Sequence, residues 1–373
     1  MKIGTITSFR SNYGAILQAY ALQMVLKSLG HSPVLLDYHE QSRWDDSLFA
    51  SWTGVRNIIL NLFTVLRYRL FIRRRKRIAE FRKRNLQVSV KQYASSHDLQ
   101  ASQSEYDAYI CGSDQVWRPR SDNDAVRAYH LGFVTRNQTL KISYAPSFGV
   151  ASISPSYRQE IQLWINDITH LSVREKAGGG IIEQATGRKA TVVLDPTFLL
   201  ENEQWKRIIK EPRIKEPYIL VYATSQRGLF PDLVRHIRKT TGLPVVVLSL
   251  YSLNLIFGAN RVIYDAGPRE FVGLFANATC VCTNSFHGTA FSIIYRKPFW
   301  TVPHNATNSR LIGLLHRIAL TDRQVSSRRQ FPQLPLEINY TTAAPLLEQK
   351  KRQSMYFLKA ALLNKRNSIC KMA

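Results

Sequence analysis

The sequence predicts an α/β protein made of two Rossmann-like parallel-sheet domains, and three observations lead to this prediction. The chain begins with a strand–helix–strand pattern, the alternation returns in its second half, and a charged stretch with two prolines separates the two series. At 373 residues the chain is long for one domain and fits two domains of ordinary size. We therefore predict domains at residues 1–205 and 217–340, followed by a C-terminal amphipathic helix at residues 341–373.

The first elements of the chain form a strand–helix–strand unit. Residues 2–7 are rich in β-formers, and residues 33–38 resume as a strand. Between them, a turn at residues 11–14 leads into residues 15–29, whose apolar side chains recur at helical spacing. Gly30 is suited to ending that helix. A unit of this kind predicts parallel strands with the helix packed on one face of the sheet.

A basic segment at about residues 48–100 interrupts the alternation and is predicted to be a helical insert. Ten Lys and Arg residues lie between Arg67 and Arg84, and only Glu80 opposes them. Such a helix can dock on an anionic membrane surface, because each cation near an anionic leaflet contributes about 1 kcal/mol. It can equally be a solvated helix whose long side chains cover apolar surface. The sequence leaves both interpretations open.

After the insert, apolar strands alternate again with helices, and polar clusters follow several of these strands. In open parallel sheets, ligands bind beyond the carboxyl ends of the strands, so these clusters predict a site in a crevice between the two domains. The predicted strands are 106–111, 140–144, 171–173 and 191–194 in the first domain, and 218–223, 244–250, 262–264 and 279–283 in the second.

The net charge bears on the binding partners. The chain has 51 Lys and Arg against 26 Asp and Glu, a formal net charge of +25. This excess attracts anions of every kind, including nucleic acid, lipid headgroups and phosphorylated substrates. The cations cluster in the insert and the tail, and no nucleic-acid-binding motif accompanies them, so we expect no nucleic-acid partner.

The N-terminus and the cysteines bear on the compartment. Residues 1–5 enter a strand pattern without a signal-peptide core, and the apolar stretch at residues 58–66 is too short to span a bilayer. We expect a cytoplasmic protein, with a peripheral position on the inner membrane face as the alternative. The four cysteines form no C-x-x-C pair, which favours buried thiols over a metal site. No metal and no cofactor are therefore expected.

The segment at residues 283–289 is the strongest candidate site. An apolar strand there runs into Ser285, His287 and Gly288 and then into an apolar helix. The free N–H groups of a helix N-terminus bind anions, and a glycine lets the backbone approach a ligand closely. Ser285, Gly288 and Thr289 are therefore predicted to bind substrate, and His287 to act on it. The alternative is an ordinary polar helix cap beside a structural His287.

The segment at residues 112–117 follows the strand at 106–111 and combines several groups that suit a sugar. Ser113 and Gln115 supply a hydroxyl and an amide, Asp114 supplies a carboxylate, and Trp117 supplies an aromatic face for stacking. Asp114 is a candidate general acid or base. The alternative is that Asp114 caps a helix and Trp117 belongs to the core.

The turn after the first strand offers two weaker candidates, Asn12 and Gly14. They occupy the strand-to-helix position that corresponds to residues 283–289 in the second domain. The turn lacks the full G-x-G-x-x-G pattern, so a dinucleotide site is not predicted. Contact with an anion or a sugar and ordinary helix capping are equally compatible with these residues.

Arg174 and Asp195 each follow a predicted strand of the first domain. A guanidinium at a strand end can hold a carboxylate or a phosphate through two parallel hydrogen bonds. Pairing of Arg174 with Glu175 or a helix end is the alternative. Asp195 is a second candidate acid or base, and the alternative for it is a structural turn before Pro196.

Seven segments, taken in order, resemble the polysaccharide pyruvyl transferase family. They are N-Y-G-A-I-L-Q at 12–18, Y-D-A-Y-I-C-G-S-D-Q-V-W at 106–117, S-Y-A-P-S-F-G at 143–149, S-V-R-E-K at 172–176, V-L-D-P-T-F-L-L at 193–200, T-N-S-F-H-G-T-A-F-S-I-I at 283–294 and K-P-F at 297–299. The resemblance implies a fold similar to GT-B glycosyltransferases, with the terminal helix folding back on the first domain. It also implies phosphoenolpyruvate as the donor and a glycan sugar, for example of an exopolysaccharide or its lipid-linked precursor, as the acceptor of a pyruvate ketal.

The resemblance assigns roles to the candidate residues. Arg174, His287 and the helix start that follows Ser285 are expected to bind the phosphoenolpyruvate carboxylate and phosphate. Arg310 resembles a late basic position of the family and is expected to complete this anion pocket. The chain departs from the family pattern at one point: Ser285 stands two residues before the histidine, where an R-x-H turn has arginine.

Two other functional classes are compatible with the composition. A GT-B glycosyltransferase that uses a nucleotide sugar would need an acidic residue to hold a ribose, and the second domain offers Asp265 and Glu270 between residues 241 and 284. A nucleic-acid binder is compatible with the charge alone. The sequence identifies neither the acceptor sugar nor the oligomeric state.

Overall fold

The structure is a computed structural model that describes residues 1–10, 12–39, 55–136, 139–225, 228–249, 258–303 and 309–369. Within these ranges the chain forms two five-stranded sheets and one two-stranded sheet. Every strand pair in them is parallel. The turn residue 11, the start of the predicted insert at 48–54 and the fourth cysteine, Cys370, lie outside the described residues.

The first half contains a sheet with the strand order β3-β2-β1-β4-β5. Its elements are Lys2–Ile6 (β1), Tyr13–Ser28 (α1), Ser32–Tyr38 (β2), Val55–Leu66 (α2), Tyr68–Asn85 (α3), Val88–Tyr93 (β3), Ser96–Gln100 (α4), Ala108–Cys111 (β4), Asn123–Tyr129 (α5), Leu140–Ser143 (β5), Pro155–Asn166 (α6), Ser172–Val173 (β6), Lys176–Thr186 (α7), Thr191–Val192 (β7) and Asn202–Lys206 (α8).

The second half repeats the same arrangement, with the strand order β10-β9-β8-β11-β12. Its elements are Ile219–Tyr222 (β8), Phe230–Thr241 (α9), Val245–Leu248 (β9), Arg261–Ile263 (β10), Pro268–Asn277 (α10), Cys280–Thr283 (β11), Phe286–Ile294 (α11), Phe299–Thr301 (β12), Ser309–Arg317 (α12) and Tyr340–Ile369 (α13). The predicted fold class, two parallel-sheet α/β units, is therefore confirmed.

The structure corrects the prediction that residues 48–100 are wholly helical. Helices α2 and α3 are present, but β3 at Val88–Tyr93 is an edge strand of the first sheet. Tyr93 is its only fully buried side chain, and Val90 is fully exposed. This edge strand is held mainly by backbone pairing with β2. Its side chains therefore show little of the apolar alternation by which a strand is predicted from sequence.

The structure adds detail to one further prediction and corrects another. The strands predicted at 171–173 and 191–194 form their own short sheet, β6 with β7, beyond the edge of the first sheet. A single bridge between Ile142 and His170 continues from β5 toward it. In addition, Tyr13 and Gly14 are the first residues of α1 rather than part of the preceding turn.

One apolar core cluster joins the two halves. It contains residues from both sheets and from the helices between them. The Tyr13 ring, from the start of α1, packs 5.2 Å from the Phe271 ring of α10, and the Tyr13 hydroxyl donates to the Ala266 carbonyl at 2.9 Å. The start of α1 is therefore inserted into the second half.

Helix α3 also connects the halves, through its arginines. Arg77 forms ion pairs with Asp265 at 3.1 Å and with Glu270 at 3.2 Å, and Arg73 lies 3.3 Å from Asp265. Arg67 lies over the Tyr264 ring. Part of the basic stretch is thus used for contacts within the protein.

The charged stretch between the two predicted domains, residues 206–216, is fixed to the second half. The Lys210 amide donates to the Arg269 carbonyl at 3.2 Å, and Arg269 Nε donates to the Ile208 carbonyl at 3.1 Å. A Cβ placed on Gly273 of α10 would lie 2.0 Å from the Lys210 carbonyl oxygen. The linker backbone therefore packs directly on α10, where glycine permits the close approach.

The terminal helix α13 returns from the second half to the first. The Tyr340 hydroxyl donates to the Lys297 carbonyl in the second half, whereas the Leu194 amide donates to Ser354 Oγ at 2.9 Å in the first. Leu358 and Leu362 are buried in the shared core. Among the described helices, α13 included, none combines the length and apolar character needed to cross a membrane.

Candidate active site

The candidate residues lie where each sheet reverses its strand order. In the first sheet β1 and β4 are neighbours, and in the second sheet β8 and β11 are neighbours. The chain leaves these four strands toward the crevice in which open α/β sheets bind ligands. Ser113 and Asp114 follow β4, His287 follows β11, and α1 starts after β1. The structure therefore brings these strand ends together, and adds Arg174 and Asp195 from the small β6–β7 sheet.

Asp195 is at the centre of the site and is fully buried. Its Oδ2 accepts from Ser113 Oγ at 2.8 Å and from Arg174 Nη1 at 2.9 Å, and it lies 3.6 Å from His287 Nε2. Its Oδ1 accepts from the backbone and the hydroxyl of Thr197. Burial alone raises the pKa of Asp195, but the adjacent His287 and then the Arg174 guanidinium bring this pKa well below its usual range.

Arg174 links Asp195 to the open part of the site. Its side chain is 1% exposed, and its guanidinium lies 4.2 Å from the centre of the Phe286 ring. Nη2 is 3.7 Å from Asp114 Oδ1, too far for a hydrogen bond. Nε and Nη2 have no hydrogen-bond partner among the described residues. Two buried N–H groups of the Arg174 guanidinium are therefore available to hydrogen-bond a ligand.

His287 is placed by the start of α11. Ser285 is the N-cap and accepts from the Gly288 amide, while Thr283 Oγ1 accepts from the Ser285 amide at 3.1 Å. This leaves His287 in the first helical turn, with Nε2 directed toward Asp195 and without a hydrogen bond from any described residue. Ser285 therefore has the capping role that was the alternative to its predicted contact with substrate, and the same turn places the His287 imidazole beside Asp195.

Gly14 forms the wall behind His287. A Cβ at Gly14 would lie 2.1 Å from His287 Nδ1 and 2.3 Å from Cγ. Asn12, two residues earlier, caps α1 by accepting from the Gly14 amide at 2.9 Å. Asn12 therefore has the capping role that was the alternative to a ligand contact. Gly14 contributes to the site by leaving space for the His287 imidazole.

Replacing Gly14 by alanine is expected to lower activity by about 100-fold, because the imidazole must move away from Asp195. Alanine normally stabilises a helix by about 1 kcal/mol over glycine. Gly180→Ala, in α7 with nothing within 4 Å of the added carbon, is the matched control and should keep full activity. Steady-state kinetics measure the activity of both variants, and thermal unfolding measures their stability. Equal activity of Gly14→Ala and Gly180→Ala would show that the His287 imidazole can accommodate the added methyl group, which would contradict this prediction.

Arg310, at the start of α12, completes the cationic side of the site. Burial and the nearby charge of Arg174 lower its pKa to about 10. It lies 5.9 Å from the Phe286 ring, on which Arg174 also packs, and its Nε has no partner among the described residues. When the Gln115 amide oxygen faces Arg310, it accepts from Nη1 at 2.7 Å. The structure thus groups two guanidiniums and one imidazole.

Asp114 is the carboxylate that remains open. Its side chain is 20% exposed, whereas Asp195 is 0% exposed. Its backbone has a φ of +83°, a conformation that a non-glycine residue adopts at a cost of about 1–3 kcal/mol. The Ser147 amide donates to the Asp114 carbonyl at 2.8 Å and holds this turn. Asp114 is therefore presented at the cleft, next to Arg174.

Three predicted substrate contacts require correction or restatement. Trp117 is fully buried, stacks on His130 with ring centres 4.8 Å apart and donates to the Tyr129 carbonyl, so it cannot stack on a sugar. A Cβ on Gly288 would meet Thr283 Oγ1 at 2.2 Å, so this glycine serves packing. Thr289 is enclosed, and its hydroxyl has no partner among the described residues.

The sequence did not indicate the contacts through which two residues shape the site. The Phe286 ring lies 4.2 Å from the Arg174 guanidinium and 5.9 Å from that of Arg310. Glu175 accepts from Ser147 Oγ at 2.8 Å and from the Phe148 amide at 3.0 Å. Glu175 thereby fixes the turn beside Asp114. Neither contact is local in the chain, so spacing could not reveal it. Within the described ranges, no cluster of His, Cys, Asp and Glu has the grouping of a metal site.

The chain was compared with known protein families and structures, and the family model for polysaccharide pyruvyl transferase matches residues 12–305. No curated protein matches the sequence. Among solved structures, a Listeria monocytogenes protein described as a UDP-N-acetylglucosamine 2-epimerase is similar, with a TM-score of 0.53, 11% identity and coverage of 95% of this chain and 90% of that one. The structure of S. aureus MnaA with UDP is also similar, with a TM-score of 0.51, 11% identity and coverage of 96% of this chain and 97% of that one. These likenesses show the fold, which is that of GT-B glycosyltransferases and related epimerases.

Proposed function

This chain belongs to the polysaccharide pyruvyl transferase family, and we propose that it moves pyruvate from phosphoenolpyruvate onto a sugar of a cell-surface glycan or its lipid-linked precursor. The observation that supports the donor is the group formed by Arg174, Arg310 and His287. It places two guanidiniums and an imidazole around one cleft, with buried N–H groups that have no partner among the described residues. Phosphoenolpyruvate has a carboxylate and a phosphate, which such donors bind well.

The reaction begins with protonation of the donor. His287 gives a proton to the methylene carbon, which becomes a methyl group, and positive charge develops at the central carbon. Asp195 does not donate a proton in this scheme, because both its oxygens are occupied and its pKa is low. It orients His287 and Arg174 and balances their charge. Arg174 and Arg310 hold the carboxylate and the phosphate while the charge shifts.

The acceptor sugar then forms two new bonds to the central carbon. One hydroxyl attacks that carbon and loses its proton to Asp114, which is the exposed carboxylate of the site. The bond from the central carbon to the phosphate oxygen then breaks, which makes this carbon cationic again. A neighbouring hydroxyl of the sugar adds to it, and the proton of that hydroxyl leaves with the phosphate. The products are a pyruvate ketal and inorganic phosphate. No metal or cofactor has a role in this scheme.

The nucleotide-sugar alternative has less support. The two acidic residues that could hold a ribose are Asp265 and Glu270, and both are ion-paired with arginines of α3. Glu270 also accepts from the Gly267 amide at 3.0 Å. Similarity of fold to UDP-binding proteins at 11% identity does not transfer their ligand.

The proposed function is tested by incubating the protein with phosphoenolpyruvate and a panel of free, nucleotide-linked and lipid-linked glycans. We expect stoichiometric release of phosphate and a product whose mass increases by one pyruvate ketal. Transfer of a whole sugar from a nucleotide sugar, with no use of phosphoenolpyruvate, would establish the alternative instead.

For the location, we propose the cytoplasmic face of a membrane, with α2 and the start of α3 as the docking surface. Leu62, Val65 and Leu66 of α2 are 53–80% exposed, and Ile72 of α3 is 39% exposed. Exposed Arg69 and Lys76 are on the same pair of helices. An apolar face beside cations is typical of helices that lie in the membrane interface. The proposed membrane surface does not include the whole Arg67–Arg84 stretch, because Arg77 and Arg82 contact carboxylates of the protein itself.

Changing Leu62 and Leu66 together to serine is expected to weaken binding to anionic vesicles by at least about 100-fold in a sedimentation assay, since each buried leucine contributes about 1.5–3 kcal/mol. Leu163→Ser, on α6 with 76% exposure, is the control and should bind as the unmodified protein does. Binding that neither the double variant nor added salt weakens would contradict this surface.

A further inference from the structure

A second group of basic side chains lies at the carboxyl ends of β1 and β2. This group, which we term the β1–β2 cluster, consists of Arg10, Asp37, His39 and Arg82. Arg10 Nη2 donates to Asp37 Oδ1 at 2.5 Å, and Arg82 Nη2 lies 3.7 Å from the same oxygen. His39 Nε2 lies 3.7 Å from Asp37 Oδ2. A single carboxylate therefore faces two guanidiniums and an imidazole.

The β1–β2 cluster resembles the proposed phosphoenolpyruvate site, which is formed by Arg174, Arg310 and His287. Phe9 is buried, with the Arg82 guanidinium 4.8 Å from its ring centre and that of Arg10 at 5.6 Å. In the phosphoenolpyruvate site, the guanidiniums of Arg174 and Arg310 lie 4.2 and 5.9 Å from the centre of the Phe286 ring. In both places two guanidiniums lie within about 6 Å of one aromatic ring, a distance at which the ring attracts a cation.

The cluster has more donors than acceptors. The Nε atoms of Arg10 and Arg82 and the Nε2 atom of His39 are buried without a hydrogen-bond partner among the described residues. Among the residues that the structure describes, two guanidinium charges face one carboxylate in this cluster, which leaves an excess of positive charge. Burial, followed by the charge of Arg10, lowers the pKa of both His39 and Arg82, and the Asp37 carboxylate opposes this shift only in part.

The cluster is also open to ligand. The side chains of Arg10, Arg82 and His39 are 17%, 24% and 42% exposed, so they line a surface rather than the core. A purely structural ion pair would need only one guanidinium for Asp37. The remaining donors therefore indicate an anionic ligand.

The position of the cluster relates it to the reacting groups. β1 lies between β2 and β4 in the sheet, and Asp114 follows β4. Neighbouring strands are about 4.8 Å apart, so the cluster lies roughly 10 Å from Asp114 along one sheet edge. Thr7 Oγ1 donates to the Ser113 carbonyl at 2.5 Å and joins the two strand ends. This separation leaves room for about one sugar ring.

We propose that the β1–β2 cluster binds a phosphate of the acceptor, so that the protein recognises a glycosyl phosphate or diphosphate with its sugar between the cluster and Asp114. The inference rests on the proposed function, since only that function defines an acceptor. Guanidiniums and imidazole N–H groups are the donors that bind phosphate oxygens. Lipid-linked and nucleotide-linked glycans share this phosphate chemistry.

Kinetics with one glycan in three forms test the proposal: the free sugar, its lipid diphosphate and its nucleotide diphosphate. We expect the KM of both phosphorylated forms to be at least tenfold below that of the free glycan. Arg10→Gln and His39→Gln should raise the KM of the phosphorylated forms about tenfold and leave the KM of phosphoenolpyruvate unchanged. Lys83→Gln, an exposed charge on α3, is the control. Equal KM values for free and phosphorylated glycans in the unmodified protein would overturn the proposal, whereas a preference for one diphosphate shows which source is used.

A binding measurement separates this inference from the proposed function. Inorganic pyrophosphate, titrated calorimetrically in the presence of saturating phosphoenolpyruvate, should bind the unmodified protein and Lys83→Gln equally. It should bind Arg10→Gln at least tenfold more weakly. Unchanged binding in Arg10→Gln would refute the cluster as a phosphate site even if transfer occurs. Weakened binding in a protein that transfers no pyruvate would support the phosphate site and refute the reaction.

Discussion

Substitution of His287 by alanine is expected to abolish transfer of pyruvate while the protein stays folded. A positioned general acid contributes about 10²–10⁴-fold to a rate, and His287 is the imidazole beside Asp195 and the donor-binding arginines. The loss should appear in kcat more than in the KM of the acceptor, because the acceptor contacts in the proposed scheme lie on the first half.

The matched control is His316→Ala, an exposed histidine on α12. It should retain full activity. Phosphate release measures the reaction, and thermal unfolding verifies that His287→Ala remains folded. Full activity of a folded His287→Ala protein would remove the acid role from this residue and require another proton donor.

Substitution of Arg174 by methionine is expected to have the largest effect on stability as well as to remove activity. Arg174 and Asp195 are 1% and 0% exposed, so the variant leaves a buried carboxylate without its guanidinium. Breaking a buried pair by removing one partner costs about 3–5 kcal/mol of unfolding free energy. Chemical denaturation measures this loss.

The control pair is Arg235 with Asp232, where Arg235 is 67% exposed. Arg235→Met should cost at most about 1 kcal/mol, because an exposed ion pair is screened by solvent. Combining Arg174→Met with Asp195→Asn should recover part of the stability, since the unpaired charge is gone, but no activity. A stable and active double variant would contradict the assignment of Arg174 to the donor.

The sequence predicted the parts of this molecule that depend on local periodicity. Helix α1 and strands such as β8 and β11 have clear patterns, and polar residues at parallel strand ends must come close together. By the same logic the polar residues at these strand ends were expected to lie close together, and Asp114, Arg174 and His287 are indeed grouped around Asp195.

Contacts between distant segments could not be predicted in this way. Trp117 has the composition of a sugar platform, but its neighbour His130 and the turn at 115–117 direct it into the core. The contact of Gly14 with His287 joins residues 273 positions apart, and no spacing rule connects them. Edge strand β3 was missed because backbone pairing, not side-chain burial, holds it.

Residues 208–210 belong structurally to the second half. Because Ile208 and Lys210 are hydrogen-bonded to Arg269, this segment is fixed to α10. The chain crosses between the halves before this segment and again along α13. Separation of the two halves would have to break the Arg77–Asp265 ion pair and the Tyr13–Ala266 hydrogen bond. The cohesion of the two halves thus depends on one short segment, residues 265–266, as well as on the shared core.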